Sequence, residues 1–206
     1  MSGETHNLNN WMLEIIRPYI KMPTIEICSG NGSFSDLLVQ EKIRTHMSDP
    51  HKSNREKLRQ KFQGLEEVRN VHAIYPDRPN FELTHQTIFG SFYTVIALNV
   101  REYGYFSKQA FANIQLLLRS KGNLIFIAPA RTALYNELVE DSYEWRIYNR
   151  RSLKDLLNGG FEILKADYFN FTQHRSDDSG HSFGPSILAV ARKQTEMHFE
   201  LPTKSA

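Results

Sequence analysis

The stretch "TIEICSGNGSFSDLL", from Thr24 to Leu38, leaves this chain few folds to choose from. β-branched and apolar residues run into a turn of small polar residues and then into a segment with helical spacing. That order reads as a buried strand, a tight loop and a helix. A strand followed by a tight turn and a helix is the unit of which α/β architectures are built.

The rest of the chain keeps the alternation. Before the first strand, Leu8, Trp11, Met12, Ile15, Ile16 and Tyr19 recur at spacings of three and four, which predicts an amphipathic helix closed near Pro18. Residues 1–22 then form a helical segment placed as a lid. After the opening unit, "KIRTHMSD" reads as a second strand, "PHKSNREKLRQKF" as a helix with Pro50 in its first turn, and "EVRNVHAI" as a third strand. Pro, Asn and Gly break "YPDRPNFELTHQTIFGS" into irregular chain with one short helical turn.

"FYTVIALNV" is the clearest buried strand, Ser107 caps a helix "KQAFANIQLLLRS", and "KGNLIFIAPA" is a fifth strand. A loop rich in aromatic and charged residues follows, from Arg131 to Tyr148. Ser152 and Asp155 form a capping pair for the next helix, the double glycine after Asn158 ends it, and a strand starts near Phe161. "PSILAVARK" is the last strand, and residues 194–206 form a fraying tail. Seven strands with two in succession at the end imply a mostly parallel sheet whose last strand is antiparallel.

With 206 residues and no linker or repeat, a single domain over 1–206 is expected. The one cysteine cannot make an internal disulfide, the start shows no charged leader before an apolar run, and no apolar window spans a membrane, so a cytoplasmic address is expected. A net charge of +2 is too small to announce a nucleic-acid partner. The basic run "HKSNREKLRQK" carries Leu58 and Phe62 at core spacing and reads as a solvated helix face.

Ligands of open parallel sheets bind beyond the carboxyl ends of the strands, with the first strand-to-helix turn as cradle. Gly30 and Gly32 permit positive φ and close backbone approach there, and the helix from Ser33 aims its positive end at the same place. A dinucleotide fingerprint would need a glycine where Ser35 stands, and a tight turn favours Gly and Asn for its own sake. Asp49, at the end of the second strand, suits the two hydroxyls of a ribose, a role that coexists with capping the helix after it. His174, Asp177, Asp178 and His181 match no common zinc spacing, and no metal site is expected.

These residues together resemble the class I S-adenosylmethionine-dependent methyltransferases, in particular bacterial small-molecule methyltransferase domains of the type 11 and type 12 kind, over about Trp11 to Lys193. The resemblance rests on "IEICSGNGSF", on Ser48 and Asp49, on "VIALNVREY", on "LLLRSKGNLIFIAPARTALY", on "RIYNRRSLKDLLNGGFEI", on Phe169 to Phe171 and on "SILAVARK". It implies a Rossmann-like sheet of order 3-2-1-4-5-7-6 and S-adenosyl-L-methionine lying across strands one, two and four. By position, Glu26 would meet the methionine amino group, and Cys28, Ser29, Gly30, Asn31 and Gly32 would line the methionine moiety. Asp49 would take the ribose, Ile74 would flank the adenine, and Asn99 with Val100 would close the methionine end.

The sequence departs from that family's pattern at several places. Cys28 replaces a glycine, Ile74 stands where an aspartate commonly contacts the adenine, Tyr93 replaces an aspartate, and Arg101 to Tyr103 replace leucine, glutamate and histidine. Cys28 would put a side chain where backbone normally crowds the ligand, so Cys28→Gly should tighten cofactor binding.

Methyl transfer from a sulfonium is an in-line displacement, in which the protein aligns two groups and excludes water. Tyr103, in the place of the family's histidine, suits substrate orientation, and Glu102 is the remaining candidate base. Arg101, Arg131 and Arg146 fall on loops at the carboxyl edge of the sheet, where guanidinium groups suit an anionic small-molecule acceptor. Trp11, Tyr135 and Tyr148 complete the expected acceptor pocket. The competing expectation is a non-catalytic relative that keeps the fold and acts as a binding or regulatory partner. A homodimer and a partner protein both stay open.

Overall fold

In a computed structural model of the chain, the structure describes residues 2–98, 107–129, 148–170 and 185–195. It contains helix α1 (Ser2–Ile16), β1 (Thr24–Glu26), α2 (Ser33–Gln40), β2 (Thr45–Ser48), α3 (Lys52–Lys61), β3 (Val68–His72), α4 (Phe81–His85) and β4 (Phe92–Ala97). It continues with α5 (Lys108–Leu117), β5 (Leu118–Pro129), α6 (Arg150–Leu157), β6 (Phe161–Asn170) and β7 (Pro185–Lys193).

The seven strands make one sheet in the order β3-β2-β1-β4-β5-β7-β6. β1 to β5 pair in parallel, and β7 runs antiparallel to both β5 and β6, as the two successive terminal strands required. This is the α/β sheet with an inserted last strand that the sequence pattern predicts, in the order that the resemblance implies.

Strand residues alternate between two apolar layers, which is why the central strands read as unbroken hydrophobic runs. Val95 and Ala97 of β4, Leu124 and Phe126 of β5, and Ile187, Ala189 and Ala191 of β7 face a cluster completed by Phe111, Ile114, Leu153 and Leu157 of α5 and α6. Ile96, Ile125, Leu188 and Val190 face the other side, where Met12, Leu13 and Ile16 of α1 and Phe34, Leu37 and Leu38 of α2 cover them. Burying each such side chain contributes roughly 1.5–3 kcal/mol. A third, smaller cluster joins Leu58 and Phe62 to Met47 and Val71 and seats α3 on β2 and β3.

The helix boundaries differ from the sequence reading in four places, one being α5, which ends at Leu117 so that Leu118 to Ser120 belong to β5. α1 begins at Ser2 rather than near Leu8, and Pro18 lies in a 3-10 turn over Arg17–Tyr19. α3 begins at Lys52 after His51, so Pro50 lies outside its first turn. The capping pair of α6 is not Ser152 with Asp155. Asn149 is the N-cap, its side chain accepting from the Ser152 amide at 2.8 Å while the Ser152 hydroxyl accepts from the Asn149 amide at 2.9 Å. Asn149 wins because one asparagine and one serine satisfy two helix-end donors reciprocally. Ser107 caps α5 as expected, accepting from the Ala110 amide at 3.2 Å.

Candidate functional site

β1, β2 and β4 end together at one edge of the sheet, and the turn after β1 lies there. Backbone bonds fix this turn: the Ser29 amide donates to the Ser48 carbonyl at 2.8 Å, and the Gly32 amide donates to the Ser29 carbonyl at 2.8 Å. Gly30 and Gly32 have φ of 56° and 76°, in the left-handed region that favours glycine. A Cβ on Gly32 would stand 2.7 Å from Phe62 Cε2 and 2.9 Å from Leu58 Cδ2. A side chain at this position would therefore force Phe62 and Leu58 to shift. On the outer side, the Asn31 side chain accepts from the Ser33 amide at 3.0 Å, and Lys61 donates to the Asn31 and Gly32 carbonyls and pairs with Asp36 at 2.5 Å.

Cys28 also has positive φ, 60°, and is the residue of this turn that has to adopt a glycine conformation while carrying a side chain. Its side chain is fully buried in the same cluster as Ile25, Ile27 and Ile74. The thiol fills the core beneath the turn, and the departure from glycine is felt as backbone strain.

Asp49 follows β2 and is completely buried. Its Oδ2 accepts from the Gly30 amide at 3.0 Å, while Oδ1 accepts from the His51 amide at 2.8 Å and from Asn54 Nδ2 at 3.2 Å. The carboxylate thus ties the glycine turn to the start of α3. The basic residues of α3 are used on backbone carbonyls: Arg55 donates to Asp49 and Pro50, and Arg59 donates to Val71. That favours the structural reading of this basic run.

Glu26 closes β1, paired in register with Met47 on one side and Ile96 on the other. Both neighbours are fully buried, and Glu26 itself is 1% exposed. The Ser35 hydroxyl donates to Oε2, and Oε1 has no hydrogen-bond partner. Burial away from water pushes the carboxyl from 4.5 up to about 7; the Ser35 and Ser29 hydroxyls and Lys61 pull it down, and Asp36 adds to the rise. A buried carboxylate with an unpaired oxygen is costly unless a donor or a cation arrives to meet it.

Of the other expected site residues, Ile74 lies just beyond β3 and is fully buried. Trp11 lies on α1 and is 39% exposed, and Tyr148 is buried in the core cluster that also holds Leu153 and Phe161. Asn99, Val100, Arg101, Glu102, Tyr103, Arg131, Tyr135 and Arg146 lie outside the described residues, as do His174, Asp177, Asp178 and His181. The structure therefore brings together Glu26, Cys28 to Gly32 and Asp49. Among the described residues no three His, Cys, Asp or Glu groups gather as metal ligands, and no helix is long and apolar enough to cross a membrane.

Two groupings had no expression in the sequence reading. Ser35, noted there only as a missing glycine, supplies the hydroxyl on Glu26. His46 and His72, on adjacent strands, approach at 2.9 Å between Nδ1 and Nε2 with their planes 13° apart. Their ring centroids are 5.2 Å apart, the nitrogen separation plus about one ring radius at each end, so the rings meet edge to edge in a near-linear N–H···N bond. Burial lowers both, His72 to about 4, with His46, His85 and Arg59 adding to its fall.

The architecture is shared with solved proteins. The structure of PH0226 from Pyrococcus horikoshii OT3 matches with a TM-score of 0.68 at 16% identity, over 94% of this chain and 92% of that one. The N-methyltransferase NodS from Bradyrhizobium japonicum WM9 matches with a TM-score of 0.63 at 14% identity, over 95% of this chain and 100% of that one. The fold is that of the class I methyltransferases. Magnesium protoporphyrin IX methyltransferase from Synechocystis PCC 6803, solved with bound S-adenosylmethionine, shares this methyltransferase fold with a TM-score of 0.60 at 18% identity, over 92% of this chain and 80% of that one. No family model matches the sequence, and no curated protein matches it. At these identities the likeness carries the methyltransferase fold, and the chemistry rests on the residues themselves.

Proposed function

We propose that this chain is an S-adenosylmethionine-dependent methyltransferase that transfers a methyl group to oxygen or nitrogen of a small anionic molecule. The observation that carries the reading is Glu26 Oε1, a buried carboxylate oxygen without a partner at the end of β1, beneath the glycine turn. A methionine ammonium supplies the charge and the donors that this oxygen lacks. The turn itself suits a close-lying ligand, since Gly30 has positive φ and no side chain to hold a ligand off its backbone, while the Gly30 and Gly32 amides are engaged by Asp49 and by the Ser29 carbonyl.

Held there, S-adenosylmethionine supplies an electrophilic methyl group on a sulfonium. Glu26 holds the amino end, the backbone of Cys28, Ser29, Gly30, Asn31 and Gly32 lines the methionine moiety, Ile74 flanks the adenine, and Asn99 with Val100 closes the methionine end. Asp49 serves the ribose. Its carboxylate already accepts from Gly30, His51 and Asn54, so the two ribose hydroxyls compete with these donors.

On the acceptor side, Arg101, Arg131 and Arg146 hold an anionic group, Trp11, Tyr135 and Tyr148 shape the pocket, and Tyr103 orients the nucleophile. Glu102 takes its proton when it has one to lose.

The engagement of Asp49 by its own chain favours a second reading, a non-catalytic methyltransferase-like protein that binds or regulates a partner. Titration with S-adenosylhomocysteine decides first. The enzyme reading expects a melting temperature that climbs with ligand concentration, because binding to the native state adds stability by mass action. No shift at millimolar ligand would sink it. Transfer of labelled methyl groups to a panel of carboxylate and phosphate acceptors then separates an enzyme from a binder.

A further inference from the structure

We propose that cofactor capture by this chain is coupled to the release of one proton from Glu26, with Ser35 setting the pH at which the site becomes competent. The inference rests on the cofactor reading above and deepens it. Three observations carry it: Glu26 is enclosed between Met47 and Ile96, one carboxyl oxygen takes the Ser35 hydroxyl, and the other has no partner. Without ligand, nothing at Oε1 repays the charge, and the neutral acid is the favoured form in apolar surroundings. A ligand ammonium needs the ionised form.

Binding therefore takes the proton off Oε1 and delivers it to solvent, while the ammonium keeps its own protons and Ser35 goes on donating to Oε2. The charged groups bearing on Glu26 from the packed helices are Asp36 of α2 and Lys61 of α3. These two pair with each other at the surface at 2.5 Å, so their effects largely cancel and Ser35 is the strongest hydrogen-bonding influence on the carboxyl. The free carboxyl titrates at about 7, so protonated and ionised forms are both well populated near neutrality.

Calorimetric titration of the whole chain with S-adenosylhomocysteine between pH 5.5 and 7.5, in phosphate and in Tris-type buffers, tests the coupling. Affinity is expected to weaken about tenfold per pH unit well below 7, so that binding at pH 5.5 is about 25-fold weaker than at pH 7.5. The dependence of heat on buffer should report about 0.9 protons released at pH 6 and about a quarter at pH 7.5. Ser35→Ala should move the midpoint of the affinity profile to higher pH, a displacement that mere loosening of α2 would not produce. Affinity that changes less than twofold over this range, with heat independent of buffer, overturns the coupling and leaves the cofactor reading standing. Absence of binding at millimolar ligand at every pH overturns both.

Discussion

Asp49 holds the Gly30 amide at 3.0 Å across two adjacent strand ends, and through its other oxygen it holds the His51 amide at 2.8 Å. One buried carboxylate thus sets the height of the glycine turn against the start of α3. Sequence alone gives Asp49 two roles, ribose acceptor and helix cap, and the geometry adds a third, as the fastener of the turn. Replacing it with alanine leaves the Gly30 amide without its acceptor, which should cost about 1–3 kcal/mol. Asp49→Asn keeps one acceptor and should lose less. Urea denaturation of the two variants checks the order, and equal losses would show that the turn holds itself.

Gly32 is fixed by contact as well as by conformation. An added methyl group would meet Phe62 and Leu58 inside ordinary contact distance, at a φ of 76° that a side chain rarely adopts. Gly32→Ala should cost about 1–3 kcal/mol from overpacking and positive φ together. Trimming the obstacle relieves part of this: the double variant with Phe62→Leu should lose less stability than the two single variants combined. Strict additivity in chemical denaturation would rule out the contact.

The strands were legible because apolar runs and glycine or proline punctuation are local signals, whereas their order came from the resemblance. "FYTVIALNV" and "PSILAVARK" announce buried strands wherever they stand. The glycine turn was legible for the same reason. Glu26 was placed by resemblance, but its unpaired oxygen was not visible, since it depends on Met47, Ile96 and Ser35 arriving from three other elements. The His46–His72 bond likewise exists only through the pairing of β2 with β3. At α6 the sequence pointed to Ser152 with Asp155, and the cap at Asn149 is visible only from the backbone, which is extended there and turns helical from Arg150.

Cys28 provides a test of strain against packing. Its φ of 60° costs a side-chain-bearing residue roughly 1 kcal/mol, while its buried thiol fills space in the main core. Cys28→Ala keeps the strained backbone and loses the sulfur; Cys28→Gly loses the sulfur and the strain together. The glycine variant should therefore be more stable than the alanine variant by about 1 kcal/mol, the reverse of the usual order. Thermal melts of the pair measure this directly, and an alanine variant as stable as the glycine one would remove strain from the account.

The pH dependence of stability separates Glu26 from His72, because their shifts act in opposite senses. Glu26 has a native value of about 7 against 4.5 unfolded, so the native state holds the extra proton between these limits. Stability from this residue falls as pH rises from about 4.5 to 7, by something on the order of 3 kcal/mol. His72 drops from 6.5 to about 4 on folding, so the unfolded chain protonates first on acidification, and stability from this residue is gained as pH rises from about 4 to 6.5. The two nearly offset, and His46, also lowered by burial, adds to the rising side, so a wild-type profile in urea that climbs gently with pH is expected over this interval. Glu26→Gln removes the falling contribution and should leave a profile that rises with pH, with a gain of about 1–3 kcal/mol at pH 8. His72→Gln should do the opposite and tilt the profile downward. If both variants keep the slope of the wild type, neither side chain changes its proton affinity on folding.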